Sequence, residues 1–319
     1  MQLYKKRDFG AFISDTFAFF KLYGRNYYKN YLLINGLLLI LLVVIFIFGY
    51  KELFMQAFGS NISGQSYYFE NYFRENAGMF ITTGILTFIL FIALMIVNYL
   101  YPVFYMKKLN EGKQKIKTDD IMSEFKSNAG KIGKLILGLI FIVTPLAIIV
   151  LGISYAMIFI LIGFFILLLI TPAVINIVNF LMFDYFNSSR GFFASLSYSI
   201  RSQFSYPSAR EGSPFWKYWG ATLVIYIIIY VITLIFTMIP MVLFMVKIAT
   251  SAPDGNFEQN PFAGGFGIIL FVTYGISVLF SFILSHLMYV NSGLMYFDSR
   301  RDLHQHLDLQ EIETIGVNE

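Results

Sequence analysis

The sequence predicts an all-α, polytopic membrane protein, a bundle of six transmembrane helices. Three observations predict it. Of the 319 residues, 57% are hydrophobic, 19% aromatic and only 13% charged, against about 25% charged in an ordinary soluble domain. Mean hydropathy is +0.67. The apolar residues also gather in runs of roughly 20, the length that carries a helix across about 30 Å of hydrocarbon. A β-barrel would instead show segments of about ten residues alternating apolar and polar.

The spans follow in order. The first runs from Tyr31 to Tyr50 and the second from Met79 to Tyr105. The third covers Ile132 to Gly152, and the fourth Ser154 to Phe183. Together these form an apolar stretch too long for one crossing, so a tight hairpin is expected at Gly152-Ile153-Ser154. The fifth runs from Trp219 to Val246 and the sixth from Phe266 to Tyr296. The chain therefore reads as one integral membrane domain over 1–319. It holds an amphipathic segment at 1–30, a six-span bundle at 31–296 and a polar tail at 297–319. No cleavable signal peptide is expected, because the first long apolar run follows an amphipathic stretch and is too long for one.

Lys and Arg set the orientation. Of the 23, 20 fall in the N-terminal segment, the loops after spans two and four, and the tail. Only Lys51, Arg74 and Lys247 fall on the other side. The expectation is a cytoplasmic (inner) membrane protein with both termini in the cytoplasm. Its basic cytoplasmic face would meet anionic lipid headgroups. No motif supports nucleic-acid binding.

An amphipathic stretch precedes each odd-numbered span. Phe9, Phe12, Ile13, Thr16, Phe17, Phe20 and Tyr23 recur at helical spacing. Ile121, Met122, Phe125, Ala129 and Ile132 repeat the pattern, with Thr118 as the expected N-cap and Asp119 and Asp120 in the first turn. Phe193, Leu196, Ile200 and Phe204 share a third face. Such segments suit helices lying in the interface plane. Phe12, Phe17, Phe20, Phe125, Phe193, Trp216 and Trp219 are the candidate interfacial anchors. They either anchor the bundle or dock a lipid or partner. Gly10-Ala11-Phe12-Ile13-Ser14 lines up with Gly191-Phe192-Phe193-Ala194-Ser195, and Tyr27-Tyr28-Lys29-Asn30-Tyr31 with Phe215-Trp216-Lys217-Tyr218-Trp219. The pattern suggests a pseudo-repeat of amphipathic helix, span, span.

These residues carry a family resemblance. The run Gly191 to Gly220, with Ser195-Leu196-Ser197-Tyr198-Ser199 and Phe215-Trp216-Lys217-Tyr218-Trp219-Gly220, resembles the membrane domain of bacterial glycerophosphoryl diester phosphodiesterases and related stand-alone six-span membrane proteins. The opening block Asp8 to Tyr31 and the end Leu294-Met295-Tyr296-Phe297-Asp298-Ser299-Arg300-Arg301 resemble the corresponding parts. Ser195, Pro214 and Ser299 depart from the family's pattern. The resemblance implies a membrane module without the phosphodiesterase domain. It also implies membership of a membrane assembly associated with a MoxR-type ATPase system.

Little catalytic chemistry is visible. There is no cysteine, which excludes thiolate sites and cysteine nucleophiles. The span interiors lack Asp, Glu, Lys and Arg, the usual carriers of proton and ion coupling. The candidate polar residues are Asn176, Asn179 and His286, either a site at a helix kinked by Pro172 or interhelical hydrogen bonding. Asp184 with Arg190, and Asp298 with Arg300 and Arg301, emerge at the ends of spans four and six. They form structural ion pairs or a phosphate-contacting site. Thr273, Ser277, Ser281 and Ser285 form a small-residue stripe suited to helix packing. No cofactor or metal site is expected, and His304, His306 and Asp308 lie in the polar tail. The leading functional expectation is a non-enzymatic scaffold or subunit of a membrane assembly, with membrane-protein partners. The alternative is a lipid- or amphiphile-handling transporter.

Overall fold

The computed structural model describes residues 1–50, 66–113, 115–160, 162–205, 213–251 and 265–300. The expectations for Arg301, His304, His306 and Asp308 lie outside them. Among the described residues every regular element is helical. Six helices are long and apolar enough to cross a membrane: Phe9–Gly49, Ala77–Asn110, Ala129–Ala156, Ile162–Asn187, Phe215–Thr250 and Gly265–Ser299. The chain is a multi-pass helical membrane protein.

In chain order the α-helices are α1 (Phe9–Ile45), α2 (Ser66–Glu75), α3 (Ala77–Asn110), α4 (Thr118–Ser127) and α5 (Ala129–Gly138). They continue with α6 (Thr144–Ala156), α7 (Ile162–Asn187), α8 (Phe192–Phe204), α9 (Phe215–Ser251) and α10 (Gly265–Ser299). A π-helical turn, Leu139–Val143, joins α5 to α6. Pro145 explains it. Its ring excludes the carbonyl four residues back, at Phe141, and one widened turn absorbs the clash without ending the span.

Two expectations are corrected. The first amphipathic stretch is not a separate interfacial helix. It is the start of α1, which runs unbroken into the first span. Phe12, Thr16, Phe19, Tyr27, Asn30 and Tyr31 form one buried stripe across the expected boundary, and neither Pro nor a helix-ending Gly interrupts it. The hairpin between spans three and four comes later than Gly152. The chain turns through a 3-10 segment, Met157–Ile160, after α6. Gly163 is the residue that permits the close approach. A Cβ there would fall on the backbone of Ser154, Met157 and Ile158, whereas Gly152 has open space around it.

The chain divides into two compact units. Unit one comprises Met1–Tyr31, Tyr99–Ile227 and His286–Glu319. Its core is aromatic, with Phe12, Phe19, Tyr27, Tyr101, Phe104, Phe180, Phe183, Tyr218 and Tyr296 all essentially inaccessible. Gly138 lets the Phe192 ring pack against α5, and Gly293 does the same for Phe183 and Met106. Unit two comprises Leu32–Asn98 and Ile228–Ser285. Its core holds Leu270 and Phe271 with Ile47, Phe244 and Phe266 packed against them. Phe236 stacks on Phe280 at 4.0 Å between ring centroids. The Ser277 hydroxyl donates to the Phe236 carbonyl at 2.9 Å, and a Cβ on Gly275 would meet Val43. Part of the small-residue stripe thus serves close helix packing. Leu33, Leu37, Ile81, Phe88, Val242 and Met245 are among this unit's exposed side chains.

Candidate functional site

The chemistry-bearing side chains concentrate in unit one, in four groups. The first closes on Asp298, near the end of α10 and buried. Its carboxylate accepts the Arg7 backbone N–H at 2.6 Å, the Lys217 ammonium at 2.6 Å and the Tyr218 hydroxyl at 2.7 Å. Lys217 also donates to the Arg7 carbonyl at 3.1 Å and lies over the rings of Phe12 and Tyr218. The Arg7 guanidinium, fully buried, pairs with Asp15 at 2.8 Å and donates to the carbonyls of Leu3 and Gln2. Burial lowers the Arg7 pKa, opposed by the hydrogen bond and charge of Asp15 and by the charge of Asp298. One carboxylate thus fastens the N-terminal segment, the start of α9 and the end of α10.

The second group centres on Asp184, also buried. Arg190 pairs with it at 2.8 Å, and Arg300 lies 3.9 Å away. Ser188 donates to it at 3.3 Å and Tyr296 at 3.4 Å. The Arg190 guanidinium caps the Tyr198 ring at 4.4 Å from its centroid. The expected pairing within each span end therefore holds for Asp184 and Arg190 but not for Asp298. Arg300 turns to Asp184, because Lys217 and the Arg7 N–H already occupy Asp298. Arg301 lies outside the described residues.

The third group surrounds His286, which is buried. Its Nδ1 hydrogen-bonds the Tyr27 hydroxyl at 2.7 Å. The rings of Tyr27, Tyr28, Tyr31, Tyr101 and Tyr289 pack edge-on around it. The Asn176 amide oxygen accepts the Thr222 hydroxyl at 2.8 Å and the Ser292 hydroxyl at 3.4 Å. Asn179 donates back to the Ile175 carbonyl within its own helix at 2.9 Å. Asn176, Asn179 and His286 are not brought together into one site by any contact.

The fourth group docks α4. Glu124 receives Lys107 at 2.8 Å and Lys108 at 2.5 Å. The Thr118 hydroxyl does not cap α4 as expected; it donates to the Asn30 side chain at 2.8 Å. Asp120 instead accepts the Lys117 N–H at 2.9 Å and the Lys113 ammonium at 2.6 Å. Those two hydrogen bonds hold its carboxyl below the usual range. Burial pushes the Glu124 pKa up, but the hydrogen bonds and charges of Lys107 and Lys108 outweigh it, and the net shift is downward.

The candidate anchors separate into two sets. Phe12 is fully buried against Tyr218, so it is a core side chain and not an interfacial anchor. Phe20 is half-buried, stacked on Tyr28, and Phe125 packs edge-on against Phe104. Trp219 is half-buried and donates its indole N–H to the Leu169 carbonyl at 3.0 Å. Phe17, Phe193 and Trp216 are exposed. The aligned blocks do not share their packing. Phe12 is buried where Phe193 is 70% exposed, and Ser14 is exposed where Ser195 is buried.

Sequence reasoning missed Arg7, Lys217, Tyr218 and Asp15 as members of the charged groups. Arg7 entered only through the orientation count, and Lys217 through that count and the aligned and family-resembling blocks. Their partners lie 291 and 81 positions away, beyond the reach of any local pattern. Among the described residues no group of three or more Asp, Glu or His side chains is placed to hold a metal ion. No family model, curated protein or solved structure matches the chain.

Proposed function

We propose that the protein is a non-enzymatic scaffold or subunit of a membrane assembly. One observation carries this reading: in unit one the carboxylates of Asp298 and Asp184 are consumed by intrachain cations, while aromatic side chains remain outside. Asp298 is tied to Lys217 and Arg7, and Asp184 to Arg190 and Arg300. Groups so fully engaged hold helices in place. What unit one offers outward includes Phe17, Leu22, Phe193, Phe204 and Trp216, apolar and aromatic groups of the kind that anchor interfaces.

In this reading the bundle sits in a bacterial cytoplasmic membrane with both termini inside, supported by the 20 to 3 division of Lys and Arg. The exposed Phe17, Phe193 and Trp216 serve as its anchoring side chains. Its partners are other membrane proteins, with a MoxR-type ATPase system as the class that the family resemblance suggests. Anionic headgroups supply the surface it rests on. The lipid-transport alternative needs a groove open to lipid and lined by Asn176, Asn179 or His286. All three are buried, and each has an intrachain hydrogen bond.

Purification of the tagged full-length protein in a lipid-preserving polymer tests the proposal. Stoichiometric protein partners are expected with the wild type, and their loss is expected in a Phe17→Ser, Phe193→Ser, Trp216→Ser triple variant that still folds. A wild-type protein recovered alone, with one lipid strongly enriched, overturns the scaffold reading in favour of lipid handling.

A further inference from the structure

Unit one contains a pocket that none of the charged groups above fills. Its volume is about 290 Å³, and it is lined by Tyr198, Arg201, Ser202, Ser205, Pro214, Tyr218 and Ser299. This is the scale of a small polar group rather than a whole drug-sized ligand. We propose that it binds the phosphoryl group of an anionic ligand, with the Arg201 guanidinium as the principal donor. The inference does not rest on the scaffold reading.

The donors that the lining leaves for an anion are Arg201 and Ser205, because most of its other hydroxyl protons are already committed. Ser202 donates to the Ser199 carbonyl, Tyr218 to Asp298 and Ser299 to the Tyr296 carbonyl, which leaves Tyr198 donating to Ser299 at 2.8 Å. These bonds fix the walls. Arg201, by contrast, is exposed and makes no ion pair among the described residues. It lies four positions before Ser205, and both residues line the pocket. Arg presents several N–H donors in the plane that phosphate oxygens accept.

The surroundings add a net positive charge. Lys217 lies 5.0 Å from the Tyr218 ring centroid, and Arg190 lies 4.4 Å from the Tyr198 ring centroid; both rings are pocket walls. The two networks behind those walls contain Lys5, Arg7, Lys217, Arg190 and Arg300 against Asp15, Asp298 and Asp184. Five cations face three carboxylates, and Arg201 adds a sixth. A concave site with a net positive surrounding concentrates anions. Phe204 and Trp216 are both exposed; the first precedes Ser205 and the second lies two positions after Pro214. A phosphoryl group reaches such a site from a lipid headgroup or from a soluble phosphate ester.

Two arms distinguish those sources. In the first, the full-length protein sits in phosphatidylcholine nanodiscs and is titrated with inorganic phosphate and glycerol 3-phosphate by calorimetry. In the second, it is released from mixed phosphatidylglycerol and phosphatidylcholine nanodiscs, and retained lipids are counted by native mass spectrometry. Arg201→Gln is expected to weaken binding about tenfold in at least one arm, equivalent to about 1.4 kcal/mol. Arg201→Lys, which keeps the charge but loses the fork, is expected to fall between. Lys126→Gln, an exposed lysine away from the pocket, is expected to change binding less than twofold. An Arg201-dependent response to the soluble probes assigns a soluble ligand, and one confined to phosphatidylglycerol assigns a headgroup. Equal binding by wild type and Arg201→Gln in both arms overturns the proposal, as does an equal loss in Lys126→Gln. Arg201→Lys guards against misfolding of the glutamine variant, and its matching wild type in a folded state removes the claim for the fork.

Discussion

At the residue scale, Asp298 sets the balance of unit one. Replacing it with Asn keeps the shape but leaves Lys217 and the N–H of Arg7 facing a neutral amide. Breaking a buried pair from one side costs about 3 kcal/mol or more, because the surviving charge stays desolvated. Lys217 is 21% exposed, which places Asp298→Asn near the lower end of that range. Unfolding by steric trapping in bilayer discs measures the loss, and a double variant with Lys217→Met is expected to recover part of it. An unchanged unfolding free energy in Asp298→Asn would mean that the clamp contributes no stability. This carboxylate also marks where residue-level reading ends. Asp184 and Arg190 are six positions apart, and their pairing was legible because one helix end brings them together. Asp298 is held by groups from two distant segments, the N-terminal segment and the start of α9, while Arg300 joins the Asp184 group. Phe12 and Phe17 looked alike as aromatic positions on an amphipathic stretch. Their fates differ because Phe12 lies on the stripe that faces Tyr218, which lies 206 positions further along the chain.

At the element scale, α4 is held by ion pairs more than by apolar burial. Only Ile121 among its apolar side chains is fully buried, whereas Glu124 engages Lys107 and Lys108. The Glu124 pKa is lower in the folded chain than its ordinary value of 4.5. The unfolded or undocked state therefore binds its proton first as pH falls. The contribution to docking is full above about pH 4.5 and is lost as pH drops through the depressed value. Asp120, also depressed, acts in the same direction but is more exposed and counts for less. Hydrogen exchange of the α4 amides, corrected for intrinsic rate, is expected to rise below that range. In Glu124→Gln it is expected to be high at neutral pH and nearly flat. An acid response that survives in Glu124→Gln would assign the effect elsewhere. Helix positions were legible throughout, since runs of Leu, Ile, Val and Phe have one stable solution in a bilayer. Helix ends were less so. The N-terminal boundary of span one failed because a buried stripe and a lipid-facing stripe have the same period. The hairpin after α6 failed because Gly152 and Gly163 read alike, although only Gly163 has backbone against it.

At the scale of the whole molecule, the placing of charge makes the strongest claim. Within the spans the charge is close to nil, and outside them 20 of 23 cations share one side. Translocating such a loop carries a free-energy penalty for each Lys and Arg, so the asymmetry acts on all the loops together. The chain contains no native cysteine, which makes the orientation directly measurable with single introduced thiols. Ser127→Cys, at the exposed end of α4, and Ser14→Cys, on the exposed side of α1, report the predicted inner face. Ser63→Cys, in the loop after span one, reports the other. A membrane-impermeant maleimide added to intact spheroplasts is expected to label Ser63→Cys at once. It is expected to reach Ser127→Cys and Ser14→Cys only after the membrane is opened. Labelling of Ser127→Cys in sealed cells would invert the topology and move the Arg201 pocket's end of the bundle to the outside, where soluble phosphate esters, headgroups and partner proteins differ. The same thiols therefore decide which compartment any ligand of unit one must come from.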